Sequence, residues 1–131
     1  MTAEGIRALN PTAFGPSLAP YSQGTVANGF CFVSGQGALD ERNDVVAPGD
    51  ARAQTVFALR RIETILAEAG ASLQDIVSAN VFLKSFDDFA AYNEGWKDVM
   101  GDNRPARATV RGHLFLDDML VEIQAIAVVP S

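Results

Sequence analysis

Two residues near the carboxy terminus have the chemistry and the placement to act on a small anionic molecule. Arg107 follows Arg104-Pro105-Ala106 and opens the β-prone run Ala108-Thr109-Val110. The proline stiffens the approach, and a guanidinium held at the start of a strand can grip a carboxylate through two parallel hydrogen bonds. The same spacing fits an ordinary surface arginine paired with one of the 16 acidic residues. Glu122 interrupts the largely apolar run Leu120-Val121-Glu122-Ile123-Gln124-Ala125-Ile126-Ala127, where a charge beside the core carries a desolvation cost. Facing a cleft, such a carboxylate titrates above its ordinary value and can serve as a general base; facing water on an edge, it only solubilises.

Other candidates are weaker. Tyr21, Ser34 and Asn93 stand at the ends or turns of predicted elements, where polar side chains can point into a pocket or simply close a turn. His113 can titrate near neutrality, but no Ser/Asp or Cys/Asp partner stands at a recognisable nucleophile motif, so a hydrolase triad is set aside. The single Cys31, between Phe30 and Phe32, has no disulfide partner and reads as a buried inert thiol. With one histidine and one cysteine the chain offers no metal cluster. Gly35-Gln36-Gly37 is not followed by a helical pattern, so a phosphate-binding reading fails on context.

The elements that must position these residues follow from periodicity. Between Tyr21 and Gln36, Asn28-Gly29 joins two β-prone runs, and that dipeptide supplies both positive-φ positions of a type I′ hairpin turn. After a loop at Asp40 to Asp50, Val56, Leu59, Ile62, Ile65, Leu66 and Ala69 recur at helical spacing up to Gly70. Ile76 to Leu83 alternates, which predicts a half-buried strand with Val77, Ala79, Val81 and Leu83 inward and Ser78, Asn80 and Lys84 outward. Ser85-Phe86-Asp87-Asp88 resembles a capping sequence for a second helix carrying Phe89, Tyr92, Trp96 and Val99, an aromatic stripe that reads as core, ending at Gly101. Two last strands, about Arg107 to Gly112 and Leu120 to Val129, flank Asp117-Asp118, and Ile6 to Leu9 is a short first strand. The order β-β-β-α-β-α-β-β predicts an α+β fold: one mixed sheet with both helices on one face, because each helix has a single apolar stripe to bury. The opposite face then needs a partner, which self-association would supply.

Size and charge bound the function. At 131 residues and 48% hydrophobic content, the chain reads as a single domain over residues 1–131. No apolar run approaches the roughly 18 residues of a membrane span, and Met1 to Asn10 lack a signal-peptide pattern, so a cytoplasmic protein is expected. A formal charge of −6 with scattered basic residues disfavours nucleic acid as a partner.

Five blocks, Ala19-Pro20-Tyr21-Ser22-Gln23, Phe32-Val33-Ser34-Gly35-Gln36, Asp88-Phe89-Ala90-Ala91-Tyr92-Asn93, Pro105-Ala106-Arg107 and Val121 to Ala127, occur in an order and spacing that resemble the RidA (YjgF) family of imine deaminases. They span nearly the whole chain. The resemblance implies a chorismate-mutase-like fold and a homotrimer whose sheets pack around a central barrel, with clefts between subunits. It implies hydrolysis of imines formed from enamines such as 2-aminoacrylate, giving a 2-keto acid and ammonia without metal or organic cofactor. By position, Arg107 would bind the substrate carboxylate, Glu122 would deprotonate the attacking water, the Thr109 carbonyl would help hold that water, and Tyr21, Ser34 and Asn93 would line the cleft.

Three departures from the family pattern stand out. Thr109 occupies a position where the best-known members carry cysteine, Ala19 replaces a glycine, and Val110 to Leu116 lacks the customary Val-Glu and Leu-Pro. Within that segment Arg111 replaces an acidic residue and, by the period of two, shares a side of the strand with Arg107. A second cation there would suit a larger or dicarboxylic substrate; the bland reading is a salt bridge to Asp117, Asp118 or Glu122. Three other functions stay open: a pathway-specific deaminase or hydrolase of an aminomuconate-like or carbamate-like intermediate, a non-catalytic keto-acid-binding regulatory trimer, and a ribonuclease, against which the acidic charge counts.

Overall fold

The computed structural model describes residues 5–131. Chain order runs β1 (Arg7–Leu9), β2 (Gly24–Ala27), β3 (Phe30–Gln36), α1 (Ala51–Glu68), β4 (Ile76–Leu83), α2 (Phe89–Met100), β5 (Ala106–Arg111) and β6 (Val121–Val128), with short 3-10 turns before β4 and α2. The strands form one sheet in the order β1-β2-β3-β6-β4-β5, antiparallel except for the parallel β4/β5 pair. The predicted α+β order is therefore the observed one. No helix among the described residues is long and apolar enough to cross a membrane.

Local chemistry accounts for most boundaries. Asn28 and Gly29, at φ 51 and 79, make the tight turn from β2 to β3. The Asp50 carboxylate caps α1 by accepting the Ala53 N–H at 2.9 Å, and Gly70, at φ 75, follows the helix end. Ser85 Oγ accepts the Asp87 N–H at 3.1 Å ahead of α2, which stops at Gly101.

Both helices lie on one face of the sheet. The α1 stripe Ala58, Leu59, Ile62, Ile65 and Leu66 buries against Cys31, Val33, Val81, Ile123, Ala125 and Ala127, while Tyr92, Trp96 and Met100 bring α2 into the same core. The helices touch closely: a Cβ on Gly95 would stand 2.5 Å from the Arg52 carbonyl oxygen, and Arg52 donates to both Asp98 oxygens at 2.7 and 2.9 Å. Cys31 is fully buried, and burial raises its thiol pKa, in keeping with an inert thiol.

On the other face, Phe30, Phe32, Val77, Val110 and Val128 stand exposed, and no described element covers them. Two β-bulges adjust the sheet. In β4 the register moves from Ile76 opposite Ala127 to Ser78 opposite Ile126, leaving Val77 unpaired and exposed. This corrects the expected alternation: Ile76 takes the inward place assigned to Val77, because one extra residue reverses the parity upstream of it. In β3, Val33 faces Ala125 but Gln36 faces Ile123, so the bulge falls at Ser34-Gly35. Val33 and Gln36 both stay buried as a result.

Candidate functional site

Side-chain direction follows from register. Arg107, Thr109 and Arg111 of β5 pair with Ala79, Val81 and Leu83 of β4, all buried under the helices. They point to the helix side. Glu122 pairs with Phe82, and Gln124 with Asn80, on the bare side. Arg107 and Glu122 of one chain thus lie on opposite faces of the sheet, in two separate depressions.

The Glu122 cleft, about 410 Å³, is lined by Tyr21, Ser34, Gly35, Met119, Gln124 and Phe115 among others. The β3 bulge builds it. A Cβ on Gly35 would stand 2.6 Å from Glu122 Oε2 and 2.8 Å from its carboxyl carbon, so only glycine admits the carboxylate in this place. Glu122 is half-buried, forms no ion pair among the described residues, and burial pushes its carboxyl above the usual carboxylate range. Ser34 Oγ donates to the Ser22 carbonyl at 2.7 Å, tying β3 to the segment that carries Tyr21.

A buried polar chain holds the bulge from behind. Arg61 of α1 donates to Gln36 Oε1 and to the Leu39 carbonyl, each at 2.9 Å, and stacks over the Phe14 ring at 3.9 Å. Gln36 Nε2 in turn donates to Gln23 Oε1 at 2.8 Å and to the Ser34 carbonyl at 3.1 Å. Each of these hydrogen bonds ends on a neutral acceptor, and Arg61 forms no salt bridge among the described residues.

The second depression, about 400 Å³, surrounds Arg107. Asn93 Oδ1 accepts from the Arg107 guanidinium at 2.9 Å, and that group lies 4.9 Å from the centroids of both the Tyr92 and Trp96 rings. Aromatic contact plus one hydrogen bond fixes the plane of the guanidinium while leaving other N–H groups open. Tyr92 also shares a 3.0 Å hydrogen bond with Thr109 Oγ1. Tyr92 and Trp96 of the α2 aromatic stripe are core, as its spacing implied, whereas Phe89 stands exposed; the edge of the buried pair is also the platform under Arg107.

The site residues named from sequence therefore fall into two sets. Tyr21, Ser34 and Glu122 come together; Arg107, Asn93 and Thr109 come together on the other face. Arg111 lies beyond the second set, 5.9 Å over the Phe86 ring, and makes no salt bridge to Asp117, Asp118 or Glu122. Sequence reading missed Gly35, Met119 and Phe115 in the first depression and Trp96, Lys97, Asn103 and Arg104 around the second. Only Arg104, beside Pro105, carried a local signal.

Comparison with known proteins bears on the family and the fold. The family model described as Endoribonuclease L-PSP matches residues 12–129. The 3-aminoacrylate deaminase RutC of Acinetobacter baylyi is 42% identical over 117 residues, which is 89% of this chain and 93% of that protein. Among solved structures, the YjgF gene product of E. coli aligns with a TM-score of 0.84 at 29% identity, covering 93% of this chain and 98% of the other. E. coli TdcF with bound serine aligns with a TM-score of 0.84 at 28% identity and the same coverage.

Proposed function

Because the chain belongs to the endoribonuclease L-PSP family, the family of the RidA enamine and imine deaminases, we propose that it hydrolyses small carboxylate-bearing imines, derived from enamines such as 2-aminoacrylate, to 2-keto acids and ammonia. The observation that carries this reading is Glu122: a carboxylate lifted in pKa by burial, with no cationic partner among the described residues of its own chain, seated against Gly35 in a cleft. A structural ion pair would lower that pKa; a proton acceptor working near neutrality needs it raised. The RutC relative is a 3-aminoacrylate deaminase, which supports an enamine-derived substrate, and TdcF is described with serine bound, which supports a small amino-acid-like carboxylate as ligand of this fold.

The site is assembled between copies of the chain. Arg107 and Glu122 of one subunit point to opposite faces of one sheet, so a substrate touching both takes them from two subunits. The bare apolar face and the outer edge of β5, which pairs only with β4 among the described residues, are surfaces such an assembly would use. The assembly is a homotrimer with the bare faces turned to a common centre.

The chemistry is then short. Tautomerisation protonates the enamine on its terminal carbon and gives an iminium, already electrophilic. Arg107, set on Tyr92 and Trp96, holds the carboxylate. Glu122 takes a proton from a water as its oxygen bonds to the iminium carbon, with the Thr109 carbonyl helping to hold that water. Glu122 returns that proton to the nitrogen, and the amino alcohol releases ammonia as its hydroxyl gives up a proton and becomes the carbonyl of the keto acid. Tyr21 and Ser34 shape the Glu122 side of the cleft, and Asn93 positions Arg107. Orientation supplies most of the advantage, since the reacting atoms need only be held about 3–3.5 Å apart.

Generating 2-aminoacrylate in situ and following keto-acid release tests the proposal. Wild type should accelerate release, and Arg107→Ala and Glu122→Gln should each reduce the acceleration by about 10²-fold or more. No acceleration by wild type would refute it, and tight keto-acid binding without turnover would favour a regulatory trimer instead.

A further inference from the structure

The depression around Arg107 is more cationic than one carboxylate requires. Lys97, Arg104 and Arg107 all line it, together with Asn93, Asn103 and Trp96, and among the described residues of the same chain no carboxylate does. This gathering occurs in a chain of formal charge −6. Arg104 forms no ion pair among the described residues, and Lys97 meets only Glu94, 3.7 Å away in an exposed pair of the kind that contributes little. Like charges gathered around one concavity repel each other unless an anion sits among them.

Backbone chemistry places the cations. Pro105 restricts Arg104 to extended geometry at the entrance to β5, three residues before Arg107. Lys97 comes from the last turn of α2, one residue after Trp96. Asn103 Nδ2 donates to the Leu73 carbonyl at 2.9 Å, which anchors the loop between α2 and β5. Arg111, the second cation suggested by sequence, instead sits over Phe86 and does not line this depression.

We propose that Arg104 and Lys97 receive a second carboxylate of the substrate, so that the preferred substrate is a dicarboxylic imine or enamine. The inference rests on the reading of Arg107 as carboxylate anchor. A monocarboxylate would occupy Arg107 and leave Arg104 without an ion pair and Lys97 with only its exposed Glu94 contact; a second carboxylate would answer both. The volume, about 400 Å³, lies within the range of small-ligand sites.

The stable keto-acid products 2-oxobutanoate and 2-oxoglutarate serve as probes, with binding to the intact protein measured by calorimetry at low and high salt. Wild type should bind 2-oxoglutarate about tenfold more tightly at low salt, the range that two exposed charge pairs supply, with the margin shrinking as salt rises. The double variant Arg104→Gln/Lys97→Gln should cost the dicarboxylate at least about fivefold more than the monocarboxylate. Arg107→Ala should weaken both. Equal affinities in wild type, or equal losses in the double variant, would overturn the inference while leaving the anchor in place. Unchanged binding of both acids to Arg107→Ala, or binding of neither to wild type, would overturn the anchor and the inference together.

Discussion

At the scale of single residues, the proposed chemistry rests on Glu122. Within one chain burial raises its pKa, and no opposing charge among the described residues lowers it, so the folded chain ionises this carboxyl less readily than the unfolded chain does. Two consequences follow with fixed signs. Activity that needs the carboxylate should fall as pH drops through an apparent pKa above the ordinary carboxylate range, and Glu122→Gln should remove that limb along with most of the rate; a pH profile of kcat/KM checks this. Stability runs the other way: the contribution of the neutral carboxyl is fully present below the unfolded-state pKa and is lost as pH rises through the raised folded-state value. Glu122→Gln, which cannot ionise, should therefore melt higher than wild type near pH 7, with the difference vanishing at acid pH. Thermal melts across pH would show it, and a lower Tm near pH 7 would mean that the carboxylate has a stabilising partner.

At the scale of elements, the β3 bulge turns a strand into a site. It keeps Val33 and Gln36 in the core while setting Ser34 and Gly35 beside Glu122, and the Arg61, Gln36 and Gln23 chain holds it there. Gly35→Ala places a methyl where the carboxylate sits, and displacing a reacting group by about 1 Å costs up to about 10²-fold in kcat. Steady-state kinetics should show that fall with only a modest change in Tm, since the crowding lies in a cleft. Local signals made the elements legible beforehand: Asn28-Gly29 named the hairpin, the apolar spacing of α1 and α2 named the helices, and the charge inside β6 singled out Glu122. The bulges at Val77 and Ser34-Gly35 left no such signal, because an extra residue is a property of pairing between strands and not of either strand alone. Lys97 and Trp96 were missed for a related reason. On α2 Trp96 reads as core and Lys97 carries no signal of its own, and only the return of β5 makes them neighbours of Arg107.

At the scale of the molecule, one chain carries Arg107 and Glu122 in two separate depressions. Register sends Arg107 toward the helices and Glu122 toward the bare face, and that face carries Phe30, Phe32, Val77, Val110 and Val128 to solvent. Exposed apolar patches of this kind mark contact surfaces, so Phe32→Glu should shift the protein toward monomer in sedimentation and abolish turnover with it. The central claim, that each site takes Arg107 from one subunit and Glu122 from another, is tested most directly by mixing two inactive variants. Arg107→Ala and Glu122→Gln chains, co-expressed in equal amounts, should recover activity, because about a quarter of randomly assembled interfaces then unite an intact Arg107 with an intact Glu122. Mixed oligomers that form and stay as inactive as either parent would contradict the account.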